Sequence, residues 1–260
     1  MKLCVITATR GISVHLNETV GSVSALGMGT RHVLVCPASA EVVLARRFPS
    51  SEIVVEPAGG LYAALNAGLA RIRDDEAFTW LNDDDVVCVE GFKSAAARLA
   101  GSAAVGVVYG RVGLMDEAGR RLGELPMAHR ADDLSSLLAG GIMPLAQPGT
   151  LMRGSVAKRI GDFDPTYRLA GDLDYFVRAL RAGVGFAFVD AEVARFRLRA
   201  GQLSKDEPAV ADEYARAVAG LAAQASAAAR WRFRWDNRGV YLERVRRHGF
   251  VRMQTLYRHG

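Results

Sequence analysis

Short apolar runs and helically spaced segments alternate along the first hundred residues. Lys2–Thr7 (with Leu3, Val5 and Ile6 apolar), Arg31–Cys36, Glu52–Val55 and Phe78–Leu81 read as strands. Between them, His15–Leu26 and Glu41–Phe48 read as helices. So does the stretch after Gly59-Gly60, where Leu61, Ala64, Leu65, Gly68, Leu69 and Ile72 recur at helical spacing. This alternation predicts an α/β fold with a mostly parallel central sheet and helices on both faces. The second half is less regular. Glu90–Ala100 reads as a helix, Val105–Tyr109 as a strand, and Gly110–Glu124 as a hairpin turning at Asp116–Gly119. Ala131–Ala139 is helical in pattern, Met143–Arg153 irregular and then extended, and Ser155–Ile160 a short helix ended by Gly161. Leu173, Phe176, Val177 and Leu180 share one helical face. Phe186–Val189 and Val193–Leu198 read as strands, and Pro208–Ala229 as one Ala-rich helix.

The pattern is organised around Phe78–Val89, where Asn82, Asp83, Asp84 and Asp85 separate two apolar runs. A buried strand that ends in an acidic loop and re-enters the core fits this arrangement. Adjacent carboxylates repel one another and lose hydration when partly buried. A divalent cation relieves both costs, and carboxylate oxygens suit magnesium and manganese. A solvated Asp-rich turn is the competing reading. In an open α/β sheet ligands bind beyond the carboxyl ends of the strands, so Thr7, Thr9, Arg10 and Gly11 after the first strand are further candidates, as ligands or as ordinary turn residues. Asp172 and Asp174 open a predicted helix, whose N-terminus stabilises a carboxylate and keeps its pKa low. Asp172 reads there either as a cap or as a base that accepts a proton from an attacking hydroxyl.

Composition narrows the class. The 260 residues are half hydrophobic and 23% charged, a globular balance with room for a sizeable core. Cys4, Cys36 and Cys88 lie in apolar runs without a CxxC pair, which indicates a reducing, cytoplasmic setting and neither a disulfide framework nor a zinc site. MKLCVITATRG breaks too soon for a signal peptide, and no apolar run is long enough to span a bilayer. Charge is uneven. Residues 230–260 hold nine Arg against Asp236 and Glu243, a surplus of +7; the whole chain is +5, so residues 1–229 carry −2.

Four segments, in order, resemble family-2 glycosyltransferases of the GT-A fold: VITATRG, GGLYAALNAGLARIRDDEAFTWLNDDD, VAKRIGDFDPTYRLAGDLDYFVRALRAG and FRLRAGQLS. The resemblance covers roughly residues 1–205, with a nucleotide-sugar-binding half (1–100) and an acceptor-binding half (101–205), followed by a helical, basic C-terminal extension (206–260). It implies a metal-dependent, inverting enzyme moving sugar from a nucleotide-sugar donor, UDP-linked by default, to a glycan or lipid-linked acceptor. Asn82 and Asp84 match the family's Asp-x-Asp positions; Asp83-x-Asp85 is the other frame. Asp84 and then Asp85 are expected to hold manganese or magnesium, with Asn82 or Asp83 facing ribose or sugar. Thr7, Thr9, Arg10, Ser39 and Gly60 are expected on the donor, Asp172 as the base, and Gln147 and Asp174 on the acceptor side.

The sequence departs from the family pattern in several places. Gly171 stands where a Glu often precedes the base, Ala146 where a polar partner of Gln147 is common, and Ala58 and Ala63 where acids are common. The second strand ends in Cys36-Pro37-Ala38-Ser39 without a carboxylate. Arg195, Arg197 and Arg199, alternating along a strand before Gly201 and Ser204, face either phosphate or solvent. Tyr62 and Trp80 read as core. In the tail, Trp231, Phe233, Trp235, Tyr241, Phe250 and Tyr257 interleave with Arg. This suits peripheral contact with the inner membrane face or a phosphate-bearing acceptor; packing on the catalytic domain is the alternative, and no nucleic acid is expected. Other classes are a non-catalytic nucleotide- or glycan-binding relative and a sugar-nucleotide pyrophosphorylase. The latter wants a Gly-rich basic loop after the first strand, where only Arg10 and Gly11 stand.

Overall fold

The computed structural model describes residues 1–27, 29–57, 60–199 and 207–247. Four parallel strands come first: β1 (Lys2–Ala8), β2 (Thr30–Cys36), β3 (Glu52–Val55) and β4 (Glu76–Trp80) lie side by side in the order β3-β2-β1-β4. The chain runs from β1 outward through β2 to β3 and then returns to place β4 on the other side of β1. This reversal leaves a crevice at the carboxyl ends of β1 and β4, the position where open α/β sheets bind ligands.

Beyond β4 the sheet becomes mixed. β5 (Val86–Val87), β6 (Val105–Met115), β7 (Arg121–Glu124), β8 (Thr150–Arg153) and β9 (Gly185–Arg197) extend it as β4-β8-β6-β9-β5, with β7 hairpinned onto β6. β8 is antiparallel to both β4 and β6, β5 is antiparallel to β9, and β6 and β9 are parallel. The parallel expectation therefore holds for the first half and gives way in the second. The strand expected at Val105–Tyr109 and the first arm of the hairpin are one strand, as are the two late strands. Register shifts between β6 and β9 absorb what the sequence presents as interruptions.

Alternation along β1 explains how both faces are filled. Val5 points to the face covered by α1 (Leu16–Ser24) and α4 (Val89–Ala100), where Val23, Phe92, Ala95 and Leu99 are buried. Cys4 and Ile6 point to the other face, under α3 (Leu61–Leu69), α5 (Leu134–Ala139), α6 (Gly154–Ile160) and α7 (Gly171–Arg181). A smaller cluster seals α1 and α2 (Ala38–Arg47) around Leu34 and Cys36 of β2.

The single helix expected at Pro208–Ala229 is two, α8 (Glu207–Val218) and α9 (Ala227–Asp236), with residues 238–247 helical again. Gly220 marks the break. A Cβ there would lie 2.7 Å from the Arg181 guanidinium, so the chain turns where α8 meets the end of α7. The extension is part of the fold. Ala217, Ala229 and Phe233 belong to the main core, and buried Asn237 bonds the Met127 amide (3.0 Å) and carbonyl (2.8 Å). Arg232 pairs with Asp133, while Arg230 and Arg244 donate to the carbonyls of Gly140 and Glu124. Part of the tail's basic charge is thus used internally. Phe250, Arg252, Tyr257 and Arg258 lie outside the described residues.

Candidate functional site

A cleft of about 440 Å³ opens at the crevice beside β1 and β4. Ala8, the loop Asn82–Asp84, Gln147, Arg168, Leu169 and Asp172 line it, and Tyr62 and Trp80 are also in its wall.

The acidic loop is built around a buried cation. Arg197, fully buried at the end of β9, donates Nε to the Asp84 carbonyl (2.8 Å) and Nη1 to the carbonyls of Asp116 and Glu117 (both 3.0 Å). Its Nη2 pairs with Glu18 of α1, and its amide donates to Asp85 Oδ1 at 2.8 Å. Thr19 donates to the Asp85 carbonyl (2.8 Å) and Ser13 to that of Asp83 (3.0 Å). With its backbone fixed, the loop aims its carboxylates in different directions. Asp83 accepts from Thr9 Oγ1 at 2.6 Å, across the crevice; burial, followed by neighbouring Asp84, raises its pKa. Asp84, 3% exposed, reaches the cleft and pairs with Arg199 Nε. Asp85 points inward. Its second oxygen accepts from Asn82 Nδ2 at 2.9 Å, and burial, with Asp84 adding to it, pushes its carboxyl up to about 8. The expectation that Asp85 meets a metal is corrected on these grounds: it has no exposure, both its oxygens are bonded within the protein, and it is absent from the cleft wall.

Elsewhere in the cleft wall, α7 starts one residue before Asp172. The residue capping it is Ala170, which has no side chain for the purpose, so the capping role considered for Asp172 is not the one it plays. Its Oδ1 accepts from the adjacent Leu173 amide at 2.8 Å. The low pKa expected from the helix N-terminus is also corrected, because burial outweighs the helix and places the carboxyl at about 6. Gly171 has a physical cause. The Tyr62 ring lies 2.6–2.8 Å from where its Cβ would stand, and the Tyr62 hydroxyl accepts from the Gly171 amide at 2.8 Å. Gln147 is buried, with its amide nitrogen bonded to the Trp80 carbonyl, which ties it to the end of β4.

Several sequence candidates are placed elsewhere. Thr7 is fully buried and bonded to His32 Nε2 at 3.0 Å, inside the sheet. Ser39 and Arg10 are exposed and outside the cleft wall. Asp174 turns away to pair with Arg178 at 2.8 Å. Gly60 precedes α3 with φ 93°, a conformation suited to glycine, and so sets the path into Leu61 and Tyr62 of the wall. Gly201 and Ser204, like Ala58 and Gly59, lie outside the described residues. Arg197 is interior and faces neither phosphate nor solvent. Reading Tyr62 and Trp80 as core missed half their role: Trp80 packs against Phe163 (4.9 Å) and Tyr175 (5.8 Å) while lining the cleft. Arg168, exposed in the cleft wall, gave no signal in the sequence beyond its nearness to Asp172.

A sequence model described as "Glycosyltransferase like family 2" matches residues 2–237. A comparison with curated proteins finds no significant match. Among solved structures, the crystal structure of S. aureus TarS 1-349 superposes with TM-score 0.60 at 16% identity over 85% of this chain and 66% of that one. The crystal structure of S. aureus TarS gives 0.61 at 15% identity over 85% of this chain and 40% of that one. The chain therefore spans less than two thirds of either structure, and at this identity the likeness concerns the fold, which is of GT-A type.

The titration of Asp172 gives a direct check on this geometry. Its folded pKa of about 6 lies above the value of about 3.9 usual for the unfolded chain. The folded state therefore holds the proton longer, and the cost of ionising Asp172 grows as pH rises from about 4 to 6. Asp172→Asn lacks that cost. Its melting temperature relative to wild type is expected to climb between pH 4 and 7 and then level off. A difference that stays flat over this window would contradict the desolvated placement.

Proposed function

This chain belongs to glycosyltransferase family 2, and from that premise we propose that it transfers a sugar from a nucleotide-sugar donor, UDP-linked by default, to a hydroxyl of a glycan or lipid-linked acceptor, with inversion at the anomeric carbon. The observation that carries the reading is that Asp84 and Asp172, far apart in sequence, line one cleft at the β1/β4 crevice. The donor diphosphate lies on the Asp84 side, near Arg199, and the acceptor on the Asp172 side. A carboxyl held near 6 is suited to taking a proton from the acceptor hydroxyl at neutral pH, since a general base works best with a pKa close to the operating pH.

Among the described residues no group of three or more acidic, His or Cys side chains forms a closed metal cage. Magnesium-type sites often use one or two carboxylates completed by substrate phosphates, and Asp84, with Asp83 beside it, fits that donor set. A manganese or magnesium ion held there would offset the negative charge that develops on the departing diphosphate. Asp85 and Asn82 order the loop behind these ligands, and Thr9 holds Asp83.

The C-terminal extension has a second role in this reading, contact with an anionic membrane face. No helix among the described residues is long and apolar enough to cross a membrane. Trp231 and Trp235 are more than half exposed and stacked at 5.7 Å, Leu242 is exposed as well, and Arg234, Arg238 and Arg246 belong to the same stretch. Aromatic and basic groups together suit a headgroup region, where each basic residue contributes on the order of 1 kcal/mol.

Two experiments check these proposals. With a panel of UDP-, dTDP- and GDP-sugars and manganese, thermal stabilisation ranks donors. Asp84→Ala should lose manganese-dependent stabilisation and turnover, whereas Asp172→Asn should keep the stabilisation and lose roughly 10²-fold or more in kcat. Full activity of Asp84→Ala, or undiminished turnover in EDTA, would sink the metal role; an active Asp172→Asn would sink the base. For the membrane, the test is a Trp231→Ala/Trp235→Ala double variant, because truncation at 229 would remove Phe233 and Asn237 from the fold. The double variant should lose salt-sensitive co-sedimentation with anionic vesicles. Wild-type protein that ignores vesicles at low salt would overturn the membrane reading.

A further inference from the structure

We infer that Glu213, on α8 and beyond the span that holds the expected site residues, is a positioning residue for the acceptor side of the cleft: it clamps the segment that carries Arg168, Leu169 and Asp172. This rests on the reading of Asp172 given above. The backbone amides of Arg168, Leu169 and Ala170 all donate to the Glu213 carboxylate, each at 2.8 Å. Three successive amides closing on one anion form a concave backbone site just before a helix N-terminus, where negative charge is favoured. Burial works against the charged form of Glu213, yet the three backbone bonds outweigh it and hold the carboxyl below its usual range.

The need for an outside carboxylate follows from the local sequence. Ala170, at the cap of α7, offers no acceptor, and the Tyr62 ring leaves no room for a side chain at Gly171. The unpaired amides at this helix start are therefore served from two other elements: by the Tyr62 hydroxyl of α3 (Gly171 at 2.8 Å, Asp172 at 3.4 Å) and by Glu213 of α8. α8 is itself fastened to the same region. The Arg216 guanidinium lies 3.6 Å over the Tyr167 ring, Tyr214 donates to the Leu138 carbonyl at 2.9 Å, and Ala217 is buried. The clamp therefore joins the C-terminal extension to the wall of the cleft, and small misplacements of a reacting group cost large factors in rate.

The test uses the full chain with Glu213→Gln and Glu213→Ala, followed by hydrogen exchange and by carbon-13 NMR titration of Asp172. Amides 168–170 should exchange roughly tenfold faster or more in Glu213→Ala, as expected for losing hydrogen bonds to a charged group, and less so in Glu213→Gln, with β1 and β4 unchanged. Tyr62 and Glu213 are the titratable side chains acting on Asp172, and Glu213 is the charged one. Removing its charge should move the Asp172 midpoint down from about 6 in Glu213→Gln as well, where the amides stay largely protected, whereas loosening alone would lower it only to the extent that the segment exchanges faster. Wild-type exchange at 168–170 would overturn the proposal. So would loosening spread equally over β1 and β4, which would make Glu213 a general determinant of the fold. Neither readout requires turnover, so an active Asp172→Asn would count against the reading of Asp172 and leave the clamp to stand or fall on its own exchange data.

Discussion

A buried guanidinium holds the acidic loop in place. Arg197 has no exposure and is joined to α1, the acidic loop and the β6–β7 hairpin turn. A charge so buried is costly unless paired and fully bonded, and here each of its nitrogens has a partner. The consequence is geometric. Because the carbonyl of Asp84 and the carboxylate of Asp85 are tied to Arg197, the side chains of Asp83 and Asp84 are left to face the cleft. Three adjacent acids would otherwise repel one another. The structure separates them by giving each a different partner: Thr9, Arg199, and the Asn82–Arg197 pair.

The two halves meet through aromatic packing. Trp80 ends β4 next to the acidic loop and contacts Phe163 and Tyr175 of the second half of the chain, while Tyr62 stacks on Phe163 at 5.8 Å and receives the first amides of α7. Asp84 and Asp172 are thus fixed relative to one another by buried rings and backbone bonds, as the proposed transfer between two bound substrates demands.

Much of this was legible from the residues. The parallel half follows from period-two apolar runs between helical segments, and the acidic loop from its position between apolar runs. Asp84, Asp83, Thr9, Asn82, Gln147 and Asp172 stand out in the sequence alone, and they gather at one crevice or directly behind it. What the sequence hid depends on contacts between distant segments. Nothing local distinguishes Asp85, turned inward by the Arg197 amide, from Asp84, turned outward. Alternation along β9 put Arg197 on the same face as Arg199, but one is enclosed by the hairpin turn and the other is partly open. Thr7 follows the strand period into the sheet and bonds His32. The basic tail read as a separate extension because its Ala and Arg content obscured the few residues, Phe233 and Asn237 among them, that anchor it in the core.

In the proposed reaction a single cleft holds the donor diphosphate against Asp84 and directs the reacting carbon toward Asp172. A crystal structure with UDP and manganese tests it most directly. A metal-bound diphosphate is expected at Asp84, with Arg199 released from its pairing with that carboxylate and the sugar position opening toward Asp172. Nucleotide bound away from the β1/β4 crevice, or diphosphate seated there with Asp84 still paired to Arg199 and no metal between them, would contradict it.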